Sequence, residues 1–161
     1  MTNPLPGRIL IPVDVAEFRR RAFRLGVHLA KLNDAEVVLL TVIDDRFPYP
    51  DMFSFHMPNE DYYRHVRDRA REMLEAAMKE APEGVRIRTV VARGTPWRVI
   101  VEVARDERAE LIIMTSHTHR GLEHALLGSV AEKVLHHAPC PVLVVPIRDG
   151  ANGDGPPAER R

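Results

Sequence analysis

Five short apolar-rich runs, four of them nearly unbroken, set the frame for this chain. They are RILIPVD (Arg8–Asp14), EVVLLTVI (Glu36–Ile43), VRIRTVVA (Val85–Ala92), ELIIM (Glu110–Met114) and VLVVP (Val142–Pro146). A strand with one wet face alternates apolar and polar residues, whereas a strand covered on both faces does not need to. The intervals between the runs carry helical periodicity instead. Phe18, Ala22, Leu25, Leu29 and Leu32 recur every three or four positions between Glu17 and Leu32, and Asn33-Asp34 end the pattern. Val66, Ala70, Met73, Leu74 and Ala77 repeat it from about Glu60 to Glu80, with Asn59 placed to cap that helix. Thr95-Pro96 opens a third helix, a capping hydroxyl followed by a proline in the first turn, with Val99, Ile100, Val103 and Ala104 inward. A fourth helix starts near Gly128-Ser129 and ends at His136-His137, a favourable place for positive charge.

Strands alternating with helices predict an α/β fold, a parallel sheet covered on both faces. Right-handed crossovers make a doubly wound, Rossmann-like sheet the natural topology. Only VRIRTVVA begins with alternation, which puts it at an edge. In such sheets ligands bind beyond the carboxyl ends of the strands, where strand order reverses. The residues at those ends are Asp14, Ile43 to Asp45, Arg93 to Thr95 and Thr115 to His119, and three of these clusters can converge on one crevice.

The chain has 161 residues, enough for one domain with a substantial core. Residues 8–147 are read as that domain, 1–7 as an N-terminal extension, and 148–161 as a disordered tail too poor in apolar residues to pack. The formal net charge is zero, so nothing global steers the chain toward nucleic acid or an anionic membrane. No apolar run approaches a membrane span, the start lacks the order of a signal peptide, and a cytoplasmic location is the default expectation. A single cysteine, Cys140, excludes an internal disulfide and a multi-cysteine zinc site, and its apolar surroundings suggest a buried, inert thiol.

Two stretches carry candidate chemistry. Asp14 ends the first strand, where a carboxylate can accept hydrogen bonds from a ribose hydroxyl or an adenine amine, or cap the segment that follows. The stretch MTSHTHRGLEHALLGS leaves the fourth strand and arrives at the start of a helix, where free N–H groups and the dipole attract anions. Ser129 offers a backbone donor and a hydroxyl there, or simply caps its own helix. No Lys follows the second glycine, so this is not a Walker loop. His117, His119 and His124 suggest a metal, but only Glu123 stands near to complete a coordination shell, and no metal site is expected. The segment from Asp44 to Glu60 holds Phe47, Phe53 and Phe55 with Tyr49, Met52 and Met57. It is placed to cover the crevice, to pack on a second subunit, or to fold back on its own domain. Arg64, Arg67 and Arg71 form a basic stripe read as a solvated face.

IPVD at Ile11–Asp14, LLTVID at Leu39–Asp44, ARGTP at Ala92–Pro96 and LLGSVAEKVLHHAPCPVLVV at Leu126–Val145 are similar to the universal stress protein (UspA-like) family, in order and over about residues 7–147. The resemblance implies a five-stranded sheet of order 3-2-1-4-5 and a homodimer paired through the last strand, Val142–Val145. It also implies a stress-response or signalling module that binds adenine nucleotide (ATP, with Mg held through the phosphates). The nucleotide-binding branch carries Gly, two residues, Gly, nine residues, then Gly-Ser or Gly-Thr. Here Gly128-Ser129 match, while Thr115 and Thr118 stand at the first two glycine positions. Carried over, Pro12, Val13 and Asp14 line adenine and ribose, Val42 lies against the base, and Gly128, Ser129 and Val130 meet the phosphates. Met114, Thr115, Ser116, His117 and Thr118 complete the set, His117 matching a family histidine that is no metal ligand.

If position 118 needs positive φ, a threonine there costs on the order of 1–3 kcal/mol, while at 115 the question is bulk. Each threonine also adds a hydroxyl for a ribose or phosphate oxygen, and 1.4 kcal/mol is only tenfold in affinity. Two readings stay open: a nucleotide-binding dimer with little or no catalysis, and a family member that binds no nucleotide and acts as a protein-interaction dimer with an unknown partner. Dedicated catalysis finds no support, because the chain has neither a nucleophile elbow nor a lysine closing its last strand as a phosphoacceptor pocket requires.

Overall fold

The computed structural model describes residues 6–14, 20–45, 60–116 and 127–146. The elements in order are β1 (Arg8–Val13), α1 (Arg20–Asn33), β2 (Glu36–Ile43), α2 (Glu60–Lys79), β3 (Arg86–Arg93), α3 (Pro96–Asp106), β4 (Leu111–Ser116), α4 (Ser129–His137) and β5 (Val142–Pro146). All strand pairings are parallel, and the sheet order is β3-β2-β1-β4-β5. The order expected from the family resemblance is the order found.

Alternate residues of the central strands feed opposite cores, which is why their runs are apolar throughout. Ile9, Ile11, Val37, Leu39 and Ile113 point into one core with Phe23 and Val27 of α1 and Leu74 and Ala77 of α2. Leu10, Val38, Leu40, Ile112 and Met114 point into the other, beneath Ile100 and Ala104 of α3 and Ala131 and Val134 of α4. β3 has exposed and half-buried residues only, as its alternating start implies for an edge strand.

Three inward faces or boundaries differ from the sequence reading. In α1 the buried residues are Ala22, Phe23, Val27 and Ala30, while Leu25 and Leu32 are 36% and 67% exposed and Leu29 is only half-buried. Both stripes have helical spacing, but the sheet accepts the one with small residues, because the helix sits very close. A Cβ built on Gly26 would lie 2.2 Å from Ile11 Cδ1, so only glycine permits that approach. In α3, Val101 is buried beside Val99, Ile100 and Ala104, whereas Val103 packs from the margin. β4 runs to Ser116, two residues beyond Met114, since threonine is a good strand former and Thr115 and Ser116 pair with Val145 and Pro146. Phe18, Asn59 and the aromatic residues of the 44–60 segment lie outside the described residues.

At the amino-terminal rim an ion-pair network spans three strands and a helix end. Arg8 pairs with Glu36 at 2.9 Å and donates to the Glu107 carbonyl, and Arg88 reaches both Glu107 and Glu36. The Arg88 hydrogen bond holds the Glu107 carboxyl below the usual carboxylate range, and Glu107 in turn raises Arg88. This rim is the far end of the sheet from the candidate site and holds the strands in register.

Candidate functional site

The reversal of strand order falls between β1 and β4. Chain direction leaves β1 toward β2 on one side and β4 toward β5 on the other, and the helices follow onto opposite faces. The two central strands separate as they approach this end. β1 pairs with β4 at Ile9–Leu111 and Leu10–Ile112, yet β1 continues to Val13 and β4 to Ser116. The residues past the paired positions therefore flank a crevice at the carboxyl rim, where a doubly wound sheet receives its ligand.

β2 supports the β1 side of that crevice. Val13 is level with Thr41, whose fully buried hydroxyl donates to the Val13 carbonyl at 2.7 Å. That bond satisfies the one buried polar side chain among the described core residues and fixes the backbone that delivers Asp14 to the rim. Asp14 is exposed, and Pro12 and Val13 are half-buried beside it. Val42 is half-buried on the α3–α4 side, where an apolar edge can meet a flat ring. One residue on, the Ile43 carbonyl accepts from Gly94 N–H at 3.0 Å, tying the ends of β2 and β3 together. Gly94 has φ 144°, and its absent Cβ would lie 3.0 Å from Val99, so the ARGTP turn requires glycine there.

The opposite side of the crevice is made by β4 and α4. Met114 is buried in the core, so its side chain is committed to packing and only its backbone is available at the rim. Thr115 is half-buried within the strand and has no positive φ. Its β-branched side chain suits that conformation. His117 and Thr118, with His119, Glu123 and His124, lie outside the described residues. Among the described residues no three metal-ligating side chains cluster.

α4 connects two parallel neighbours, so it must begin at the carboxyl rim and run back down the sheet. Gly128 is its cap residue, with extended backbone (φ −61°, ψ 148°), and has no side chain with which to cap the helix. Ser129 is the first helical residue and exposed, with half-buried Val130 after it. The sequence alternative in which Ser129 caps its own helix is thereby replaced: the cap is a glycine, which offers no side-chain acceptor. The first-turn N–H groups have no partner within the helix, and the dipole concentrates about half a positive charge there. A phosphate or carboxylate is the natural complement. Cys140, half-buried against the α3–α4 core, has its thiol pushed up by burial and is poorly suited to act as a nucleophile.

No helix of the described residues is long and apolar enough to cross a membrane. Comparison with known proteins agrees with the architecture. The model of the universal stress protein family matches residues 6–146. Universal stress protein MJ0531 of Methanocaldococcus jannaschii is 38% identical over 142 residues, covering 86% of this chain and 81% of that protein. Universal stress protein MJ0577 of the same organism is 32% identical over 151 residues, 86% of this chain and 93% of its own length. The solved structure of MJ0577 superposes with a TM-score of 0.74 over 89% of this chain and 98% of that one. A universal stress protein from Archaeoglobus fulgidus, solved in complex with dAMP, shares the fold at 20% identity, with a TM-score of 0.58 over 85% and 95% of the two chains. With the matched model spanning nearly every described residue, the chain belongs to the universal stress protein family.

Proposed function

We propose that this protein binds an adenine nucleotide, ATP in its full form, in the crevice between β1 and β4, and acts as a dimeric stress-response or signalling module without dedicated catalysis. The observation that carries the reading is the start of α4 at Gly128-Ser129, whose cap residue is a glycine and which the topology puts on the same rim as Asp14. The adenosine moiety lies along Pro12, Val13 and Val42, and Asp14 accepts from ribose hydroxyls or the adenine amine. The phosphates receive the N–H groups of Ser129 and Val130 and the Ser129 hydroxyl, as an anion does at any free helix start. Mg, when present, is carried by the phosphates rather than by a protein cluster. Met114, Thr115 and Ser116 contribute backbone along the strand end, with His117 and Thr118 beyond it.

The reading is supported by the character of the residues at the rim: half-buried Val13 and Val42, the exposed carboxylate of Asp14, and the first-turn N–H groups of α4. The relative from A. fulgidus holds dAMP on the same fold. The resemblance further supports pairing of two copies through β5, whose Leu143 is 39% exposed on an edge strand. An unpaired edge with an exposed leucine is a liability that dimerisation removes.

Denaturing the purified protein and chromatographing the supernatant tests the reading, together with calorimetric titration of ATP into nucleotide-free protein. Released adenine nucleotide, or saturable heat in the micromolar to millimolar range, is the expected result. Neither signal at millimolar ATP assigns the protein to the interaction dimers that bind no nucleotide.

A further inference from the structure

Arg64, Arg67 and Arg71 of the α2 stripe are all exposed, as a solvated face requires, and two of them also border a cleft. Arg64 and Arg67 line a cleft of about 310 Å³, whose other walls come from the carboxyl ends of β2 and β3. Its apolar lining comes from Ile43 and Val91, while Ala92 lies at its margin and packs toward the α3–α4 core. Arg93, the last residue of β3, supplies a third guanidinium and stacks 3.4 Å over the ring of Tyr63, which lines the same cleft. A stacked guanidinium is partly immobilised and keeps its in-plane N–H donors free to point at a ligand. The cleft volume is at the small end of those that hold small molecules.

Acidic neighbours set the threshold for a ligand. Glu60 lines the cleft itself and lies 3.6 Å from Arg93, Asp61 pairs with Arg64, and Asp68 lies 4.0 Å from Arg67. Glu60, Asp61 and Asp68 are 89%, 77% and 56% exposed, so these are solvent-screened surface pairs of the kind that contribute little to stability. A doubly charged oxyanion with bidentate hydrogen bonds from guanidinium competes well against such partners.

We infer that this cleft is a second binding site, distinct from the β1–β4 crevice, for a small phosphate monoester. The phosphate lies among Arg64, Arg67 and Arg93, and the organic part rests on Val91, the edge of Ile43 and the Tyr63 wall. The inference does not depend on nucleotide binding in the crevice, because the two sites use different residues on different sides of β2.

Phenyl phosphate is the probe, followed by amide chemical shifts of isotopically labelled full-length protein in the presence of excess ATP. Saturable shifts are expected at Tyr63, Arg64, Arg67, Ala92 and Arg93, with those of Ser129 and Val130 unmoved. Inorganic phosphate binds more weakly because it leaves the apolar lining uncovered. Arg64→Ala/Arg67→Ala weakens phenyl phosphate by about tenfold or more, the scale of losing charge-assisted hydrogen bonds. It leaves Arg93 and its Tyr63 contact in place, and the amide spectrum itself reports whether the variant is folded. Arg93→Gln gives an independent loss from the opposite wall. No saturable shift at these amides through about 10 mM probe, a range that covers even weak sites, overturns the inference. So does undiminished affinity in both variants, or inorganic phosphate binding as tightly as phenyl phosphate.

Discussion

Replacing Gly26 by alanine tests the packing that brings α1 onto the sheet. In an exposed helix this change stabilises by about 0.8–1 kcal/mol. Here the new Cβ would stand 2.2 Å from Ile11 Cδ1, 3.1 Å from Ile11 Cγ1 and 3.6 Å from Ile113 Cδ1, and both isoleucines are fully buried. Carbon atoms prefer about 3.5–4 Å, so Ile11 must leave its place inside a closed core. Overpacking of that sort costs about 1–3 kcal/mol, which outweighs the helical gain and leaves a net loss of roughly 1–2 kcal/mol. For a chain of this size each kcal/mol lowers the melting temperature by about 2–4 °C. Ile11→Val removes the clashing Cδ1 and by itself costs about 0.5–1.5 kcal/mol. In that background the alanine fills the vacated space, so Gly26→Ala becomes neutral or stabilising. Urea denaturation of the four proteins closes the cycle, read as midpoints at constant slope. A stabilised Gly26→Ala single variant, or the same penalty in both backgrounds, refutes the close approach of α1 to β1.

Two further outcomes follow from the rim network and the sheet edge. The Glu107 carboxyl titrates lower in the folded protein than in the unfolded chain, held down by Arg88. Its stabilisation is therefore fully present above the ordinary carboxylate range and disappears as pH falls through the lower folded value. Glu107→Gln removes that acid-side dependence, checked by denaturation midpoints between pH 7 and pH 3 (the span about the ordinary carboxylate pKa of about 4), and an unchanged profile contradicts the pairing. The raised Arg88 alters stability only in strong alkali and adds nothing in this window. Leu143→Asp places a charge on the exposed β5 edge. Under the proposed pairing through β5 it converts dimer to monomer in sedimentation, whereas an unaltered dimer, or an unaltered chain that is already monomeric, contradicts that pairing.

Much of the architecture was legible before any coordinates, for identifiable reasons. Unbroken apolar strands require cover on both faces, and the alternation confined to Arg86–Thr89 marks an edge, which is where β3 lies. The start of α4 was readable because glycine before serine interrupts one pattern and begins another. The face of α1 was misread because two stripes share one spacing, and leucine draws attention that Ala22, Gly26 and Ala30 do not. Proximity to the sheet decides between them, and proximity is a tertiary fact. The apolar pattern ends at Met114 because Thr115 and Ser116 are polar, although their ladder with β5 needs only backbone. The arginine cleft was invisible for a different reason: Arg67 and Arg93 lie far apart in the chain, and only the β2–β3 pairing brings α2 over the end of β3. Of the candidate nucleotide residues, the places of the β1 and α4 members at the carboxyl rim are readable from motif and spacing. The commitment of Met114 to the core is not, since burial at a strand end depends on what packs above it.

The most direct measurement concerns the first amide of α4. Ser129 occupies the first helical position, and Gly128 before it is already extended. Proline is therefore tolerated at position 129, and Ser129→Pro deletes the N–H and the hydroxyl without breaking the helix. Hydrogen bonds to charged groups contribute about 1.5–3 kcal/mol. ATP affinity measured by calorimetry then falls by roughly tenfold to a hundredfold while the denaturation midpoint holds. Equal affinity in the two proteins, or an absence of ATP binding to the unaltered chain, contradicts the helix start as the phosphate site.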